Sequence, residues 1–380
     1  MARVQLLLAT LLASLLLVSA EPLKLAVKAH RRPTPYALSK RDSVIVPVGN
    51  NAINYFANVT VGDQTFNLLV DTGSANTWIG ANRTFVPKPG AVNTHQTFEI
   101  TYGSGYVNGT QWVDSVTIAG LTVANQSIGI AGYEEGYGYQ GIDGILGLGG
   151  IIQTNRTVTG TELVPTWMNN LYAQGAIEDE VLGVYFSPLK RGEAYAINGE
   201  LTIGGIDSLR YIGNLTYVPT AQRDGRVSSW VVRIDAVTAN GQALGKGGYG
   251  AVIDTGATNI YVPVDAYFPW LELAGGEWDQ TYFLSKFAQK PNGTFGFTIG
   301  GSSFELTPEQ YLVPEDQYHV WNLPEGVYWS FISTAGPTSF FIGQKFIENI
   351  YTVYDTTNLR MGFAPARHSL KDEPEDGVYQ

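Results

Sequence analysis

Short apolar or alternating runs recur along this chain between glycine-rich turns, at Tyr55–Val61, 65–70, 96–102, 115–118, 182–186, 200–203, 229–234 and 251–253. Alternation of period two marks a strand with one buried face, and a brief continuous apolar run marks a strand covered on both. Only 166–174, which follows Pro165, and 280–289 read as helices. The pattern predicts an all-β architecture with helices as accessories.

One stretch repeats. Leu68-Leu69-Val70-Asp71-Thr72-Gly73-Ser74-Ala75-Asn76-Thr77-Trp78 recurs 183 residues later as Ala251-Val252-Ile253-Asp254-Thr255-Gly256-Ala257-Thr258-Asn259-Ile260-Tyr261. Each copy is followed by an apolar-apolar-Gly triplet, Ile145-Leu146-Gly147 and Phe341-Ile342-Gly343, so the repeat is of a whole lobe. In both copies a buried strand runs into an aspartate, which is costly to bury without hydrogen bonds. The Thr and Gly that follow supply a hydroxyl, a tight turn and nearby amides. Two such loops meeting across a pseudo-twofold axis place two carboxylates face to face. They cannot both ionise readily, so the pair shares a proton and offers an acid and a base together, the behaviour known for the aspartic-protease dyad.

Composition narrows the chemistry. With no cysteine among 380 residues, disulfides, thiolate metal sites and thiol nucleophiles are excluded. Four scattered histidines suggest no metal site. Residues 1–41 carry seven Lys/Arg against one Glu, leaving 16 basic and 33 acidic residues for the rest. Such an acidic body repels phosphate backbones and anionic membrane surfaces, so neither nucleic acid nor membrane is expected as a partner.

The leader is informative. Arg3, the leucine-rich run 6–18 and Val18-Ser19-Ala20 read as a signal peptide over 1–20. A basic pro-segment is expected over 21–41, ending at the dibasic pair Lys40-Arg41, and the mature chain is expected to be secreted and extracellular. Seven Asn-X-Ser/Thr sequons, at Asn58, Asn82, Asn108, Asn125, Asn155, Asn214 and Asn292, fit a glycoprotein.

On these residues the chain resembles the pepsin-like aspartic endopeptidases across nearly all of 50–367. Further matching stretches are Tyr102-Gly103-Ser104-Gly105, Asp143-Gly144-Ile145-Leu146-Gly147, 199–207 and the final Tyr354-Asp355 to Gly362-Phe363-Ala364. The lack of cysteine and the Asn/Gly-rich turns look most like the family's secreted enzymes from wood-rot fungi. The resemblance implies a bilobal fold of two barrel-like lobes, 42–190 and 191–367, with a central cleft and a β-hairpin flap; residues 368–380 read from their own composition as an acidic tail. It implies acid-favoured cleavage of internal peptide bonds in extended polypeptides, inhibition by pepstatin-type compounds, a monomer and no cofactor.

By the same resemblance, Asp71 and Asp254 match the catalytic dyad, with Thr72 and Thr255 locking their loops together and Ser74 supporting Asp71. Gly73, Gly256 and Thr258 match substrate-binding positions. Tyr102, Gly103 and Ser104 match the flap tip, Trp78 the anchor of the flap tyrosine, and Ile145 a wall of the pocket before the scissile bond. The chain departs from the pattern at Ala257, where many members carry a hydroxyl; the missing donor predicts a less acidic optimum. Gln344 replaces a frequent aspartate, with little effect expected.

Two other readings compete. A glycoside hydrolase would use paired carboxylates and an aromatic cleft but leaves the repeat unexplained, and a non-catalytic binding protein on the same fold would be expected to lack a dyad or flap residue. Gly136-Tyr137-Gly138-Tyr139-Gln140-Gly141 reads as a mobile surface loop rather than a dinucleotide site, because no helix pattern follows it.

Overall fold

Strand Tyr55–Val61 buries alternate residues, Tyr55, Ala57, Val59 and Val61, as its period-two pattern requires. It pairs antiparallel with Gln64–Asp71. The second strand is different at its end. Leu68, Leu69, Val70 and Asp71 are all buried, because Gly144–Gly147 pairs with them in parallel on the other side, Asp71 opposite Gly147. A strand flanked on both edges and covered on both faces has to be continuously apolar. The molecule is a computed structural model that describes residues 43–138 and 141–369. The expected signal peptide, the pro-segment and the acidic tail beyond Ser369 lie outside the described residues.

The same arrangement occurs twice. In the first half Trp78–Ile79 returns antiparallel to Gly144–Gly147 and runs parallel to Leu121–Glu135. In the second, Tyr249–Ile253 runs parallel to Phe341–Ile342, and Ile260–Tyr261 returns antiparallel to Phe341–Ile342 and parallel to Ile332–Ser333. Each Asp-Thr-Gly loop thus threads past the apolar-apolar-Gly triplet of its own half. The glycine is required by contact: a Cβ on Gly147 would lie 2.4 Å from the Ala75 carbonyl carbon, and one on Gly343 2.3 Å from the Ala257 oxygen. The sequence repeat is therefore a repeat of this crossing.

A six-stranded antiparallel platform carries both halves. Its order is Val44–Asn50, Ala196–Ile203, Val181–Tyr185, Ile350–Asp355, Arg360–Pro365 and Thr216–Arg223. The hairpin of Val92–Thr101 and Tyr106–Ile118 supplies the expected flap. The fold is mostly β and bilobal, as the pattern and the resemblance imply.

Two expectations about elements need correction or completion. Helix Trp167–Ala173 forms where expected, capped by the Thr166 hydroxyl, which accepts from Asn169 N. The expected helix over 280–289 does not form. The Asp279 carboxylate caps Thr281 N and Tyr282 N in a turn, Phe283 takes φ +55°, and Leu284–Phe287 becomes the central strand of a three-stranded sheet. Tertiary pairing overrides propensity there: buried Ser285 donates to Ile332 O at 2.7 Å and is hydrogen-bonded to the Tyr267 hydroxyl. An unexpected helix, Val264–Leu273, packs Ala266, Tyr267, Trp270 and Leu271 into the core despite Pro269 in its middle. Near the end of the described residues, His368 Nδ1 is hydrogen-bonded to the Tyr185 hydroxyl of the platform.

Candidate active site

The two repeated loops interlock through their threonines. Thr72 Oγ1 donates to Ile253 O (2.9 Å) and accepts from Thr255 N (3.0 Å); Thr255 Oγ1 donates to Val70 O (2.7 Å) and accepts from Thr72 N (2.9 Å). Both residues are fully buried. This symmetric lattice fixes the two loops against each other with no bond that water can replace. Thr72→Val keeps the volume but removes two of the four bonds and leaves Thr255 N and Ile253 O unpaired, so a loss of about 2–4 kcal/mol is expected. Denaturant melts compared at acid pH check this; a variant as stable as the parent contradicts it.

The lattice brings the Asp71 and Asp254 carboxyls together, each against the glycine of the opposite loop. Each carboxylate is oriented by its own loop: Gly73 N donates to Asp71 Oδ1 and Gly256 N to Asp254 Oδ1, both at 2.8 Å. The glycines also make room for the opposite loop. A Cβ on Gly73 would meet the Asp254 carboxyl at 2.5 Å, and one on Gly256 would meet Asp71 Oδ1 at 2.5 Å. Two side-chain amides brace the loops from behind, Gln153 Nε2 donating to Gly73 O (2.6 Å) and Gln344 Nε2 to Thr255 O (2.8 Å).

The pair is not electrostatically symmetric. Burial pushes Asp71 upward, but donors from Ser74 and Gly73, and the hydrogen bond from Asp254, pull it back. Burial pushes Asp254 up as well, and there the Asp71 charge adds to the rise while only backbone amides oppose it. Ala257 stands where the first loop has Ser74 and carries no hydroxyl. These contacts favour ionisation of Asp71 over ionisation of Asp254.

The flap turn brings Tyr102 close to Asp71. Tyr102 N donates to Gly105 O at 2.8 Å across the turn, leaving Gly103 and Ser104 exposed at its tip. Trp78 Nε1 donates to the Tyr102 hydroxyl at 2.8 Å, the contact expected of an anchor. Burial and the nearby Asp71 charge hold the Tyr102 phenol in its protonated form. Ile145 is buried beside Trp78, in one apolar cluster with it. Thr258, expected to bind substrate, donates its hydroxyl to Ile53 O at 3.1 Å.

Within the stretch read as a surface loop over 136–141, the structure corrects the place of Tyr137. Tyr137 is 4% exposed and packs edge-to-face on both Trp78 (5.5 Å between centroids) and Tyr102 (5.4 Å). Gly136, at φ +102°, lies against the flap turn, where a Cβ would approach Ser104 O to 2.5 Å. Tyr139 and Gln140 lie outside the described residues. The sequence cue was an aromatic between two glycines shortly before Asp143-Gly144; glycine there allows close approach to the flap rather than freedom in solvent. Gln153 has no sequence signal, since a lone amide in a turn carries no pattern.

Comparison with known proteins agrees with the geometry. Residues 54–366 match the family model described as eukaryotic aspartyl protease. Polyporopepsin of Irpex lacteus is 35% identical over 84% of this chain and 96% of its own, and gastricsin of Cavia porcellus is 30% identical over 82% and 80% respectively. The crystal structure of the aspartic proteinase from Irpex lacteus superposes with a TM-score of 0.77 at 32% identity, covering 87% of this chain and 99% of that one. By its paired Asp-Thr-Gly loops and by these matches, the chain belongs to the eukaryotic aspartyl protease family and is an aspartic-type endopeptidase.

Proposed function

We propose that Asp71 and Asp254 hydrolyse internal bonds of extended polypeptides by activating a water held between them. The observation that carries this reading is the close approach of two carboxyls, Asp71 buried and Asp254 half-buried, on loops locked by Thr72 and Thr255. Asp71, the ionised member, takes a proton from the water as its oxygen attacks the scissile carbonyl carbon. Asp254 gives its proton to the carbonyl oxygen, and the tetrahedral diol then collapses with proton transfer to the leaving nitrogen. No covalent enzyme intermediate forms.

The backbone at Gly73 and Gly256 and the flap tip at Gly103 and Ser104 pair with the extended substrate, Thr258 lines its path, and Ile145 walls the pocket before the scissile bond. Tyr137 contributes to the same wall. The protein acts as a secreted monomer with lobes 42–190 and 191–367, at acid pH, after removal of residues 1–41, and is blocked by pepstatin-type inhibitors. Six of the seven sequon asparagines are exposed, which suits glycosylation, whereas Asn108 is half-buried and donates to the Tyr106 hydroxyl at 3.0 Å. Peptide mass spectrometry of the secreted protein is expected to find Asn108 unmodified.

The function is tested by incubating the processed protein with an unfolded protein substrate across about pH 3–7 and mapping the new termini. Internal cuts favoured in acid support the reading; trimming from the ends alone, or no cleavage by the folded processed protein, contradicts it.

The missing hydroxyl at 257 sets the expected pH profile. Deprotonation of Asp254 removes the general acid and forms the basic limb, and one donor fewer on its ionised form moves that limb upward. Installing the donor with Ala257→Ser stabilises ionised Asp254, and the basic limb of kcat/KM is expected to fall by about one pH unit. A limb that stays in place or rises contradicts the assignment.

A further inference from the structure

We propose that Lys190-Arg191 is a second processing site, cut between Arg191 and Gly192 by a dibasic-specific serine endopeptidase of the export route to give a two-chain protein. After residue 41 this is the one place in the sequence where two basic residues adjoin. It falls in the connection between Val181–Tyr185 and Ala196–Ile203, where every residue from Lys190 to Tyr195 is exposed. Buried Phe186 and Leu189 anchor the loop on its upstream side. Exposed loop tips whose backbone is free of sheet pairing are where proteases act, because the substrate has to be drawn into an extended strand.

The local bonds that shape the loop are few and face water. Lys190 N donates to Glu193 Oε2 (3.0 Å), Glu193 N to Lys190 O (3.0 Å) and Gly192 N to Asp316 Oδ2 (2.6 Å). Exposed bonds of this kind exchange readily for water, so opening the turn is easy. The two cations are the groups that acidic subsites of such an endopeptidase hold. In the cut, water adds across the Arg191–Gly192 amide, leaving a carboxylate on Arg191 and an amine on Gly192; no other reactant is needed.

The halves stay together after the cut. Downstream of it, Ala196–Ile203 remains paired with Val44–Asn50 along seven residue pairs and with Val181–Tyr185. Val181–Tyr185 in turn pairs with Ile350–Asp355, and the Thr72–Thr255 lattice is untouched. The product is two non-covalently joined chains with an intact dyad.

Exposure of the loop is independent of the proposed export, whereas delivery to the endopeptidase rests on it, and one experiment separates the two. Folded protein, with pepstatin present against self-digestion, is treated with a purified dibasic-specific serine endopeptidase and followed by intact mass and N-terminal sequencing. One new N-terminus at Gly192 is expected within residues 43–369, both fragments eluting together on gel filtration with peptidase activity unchanged after pepstatin is removed. The Lys190→Gln/Arg191→Gln variant should stay intact. A folded chain that resists while its acid-unfolded form is cut at Arg191, or that is cut first elsewhere, overturns the proposal. Material secreted by a eukaryotic host that has been cut after Arg41 but not after Arg191 overturns its physiological part, and absence of secretion with correct cutting in vitro refutes the export reading alone.

Discussion

Replacing Asp254 with asparagine is expected to lower kcat for peptide hydrolysis about 10⁴-fold, with KM for an extended peptide little changed. The amide keeps the acceptor that Gly256 N addresses, so the loop geometry survives. It cannot release a proton to the carbonyl oxygen, which removes the general acid. Its NH₂ would also donate to Asp71, stabilising the carboxylate and weakening it as a base, so one substitution affects both halves of the reaction. The proposed substrate contacts on the flap and loop backbones remain, which is why the loss should appear in kcat rather than KM. Thermal stability should hold or rise, since a neutral amide replaces a group that ionises under burial. A variant that keeps the parent kcat would remove Asp254 from the chemistry.

A second large effect concerns stability at neutral pH. Glu180 is 9% exposed and accepts one side-chain hydrogen bond, from Asn169 Nδ2 at 2.6 Å. Burial pushes its carboxyl up to about 7, against which the Asn169 donor acts only in part. Its backbone joins the two halves: Glu180 N donates to Thr357 Oγ1, and Glu180 O accepts from Thr356 N. Because the folded state holds this proton more tightly than the unfolded chain, stability from this group is complete in acid. It is lost as pH rises from about 4.5 to about 7, amounting to about 3 kcal/mol. Burial of Asp71 and Asp254 acts in the same direction. Glu180→Gln preserves the acceptor for Asn169 without the charge. The fall in melting temperature between pH 4.5 and pH 7 is therefore expected to shrink by roughly 5 °C. An unchanged fall would mean that Glu180 is not the group responsible.

Much of the site was legible because its signals are local. A buried strand has to be apolar and a buried aspartate has to be held, so Leu68-Leu69-Val70-Asp71-Thr72-Gly73 carries its own explanation, and its second copy at Asp254 supplies the partner. Gly147 and Gly343 were visible as parts of a repeated triplet, although their reason, the passage of the Asp-Thr-Gly loop within van der Waals distance, is a fact of three dimensions. What failed was decided at long range. Residues 284–287 are a strand because Gly276–Asp279 and Tyr328–Ser330 flank them, and Val264–Leu273 is a helix in spite of Pro269 because its aromatic face fills the core. No helix pattern follows Tyr137, which stands between two glycines, and its sequence context reads as a loop. Only the folded chain shows those glycines pressed against the flap, with the ring between Trp78 and Tyr102. The contrast of Ser74 with Ala257 lay in view, but the approach of each carboxyl to the opposite loop needed the geometry.

The central claim is that a single chain supplies both members of one proton-sharing pair. Titrating the processed protein with pepstatin at about pH 4, while following peptide cleavage, tests it most directly. The account predicts a linear loss of activity that reaches zero at one inhibitor per chain. Cleavage that persists with inhibitor in excess, or an end point of one inhibitor for every two chains, would contradict it.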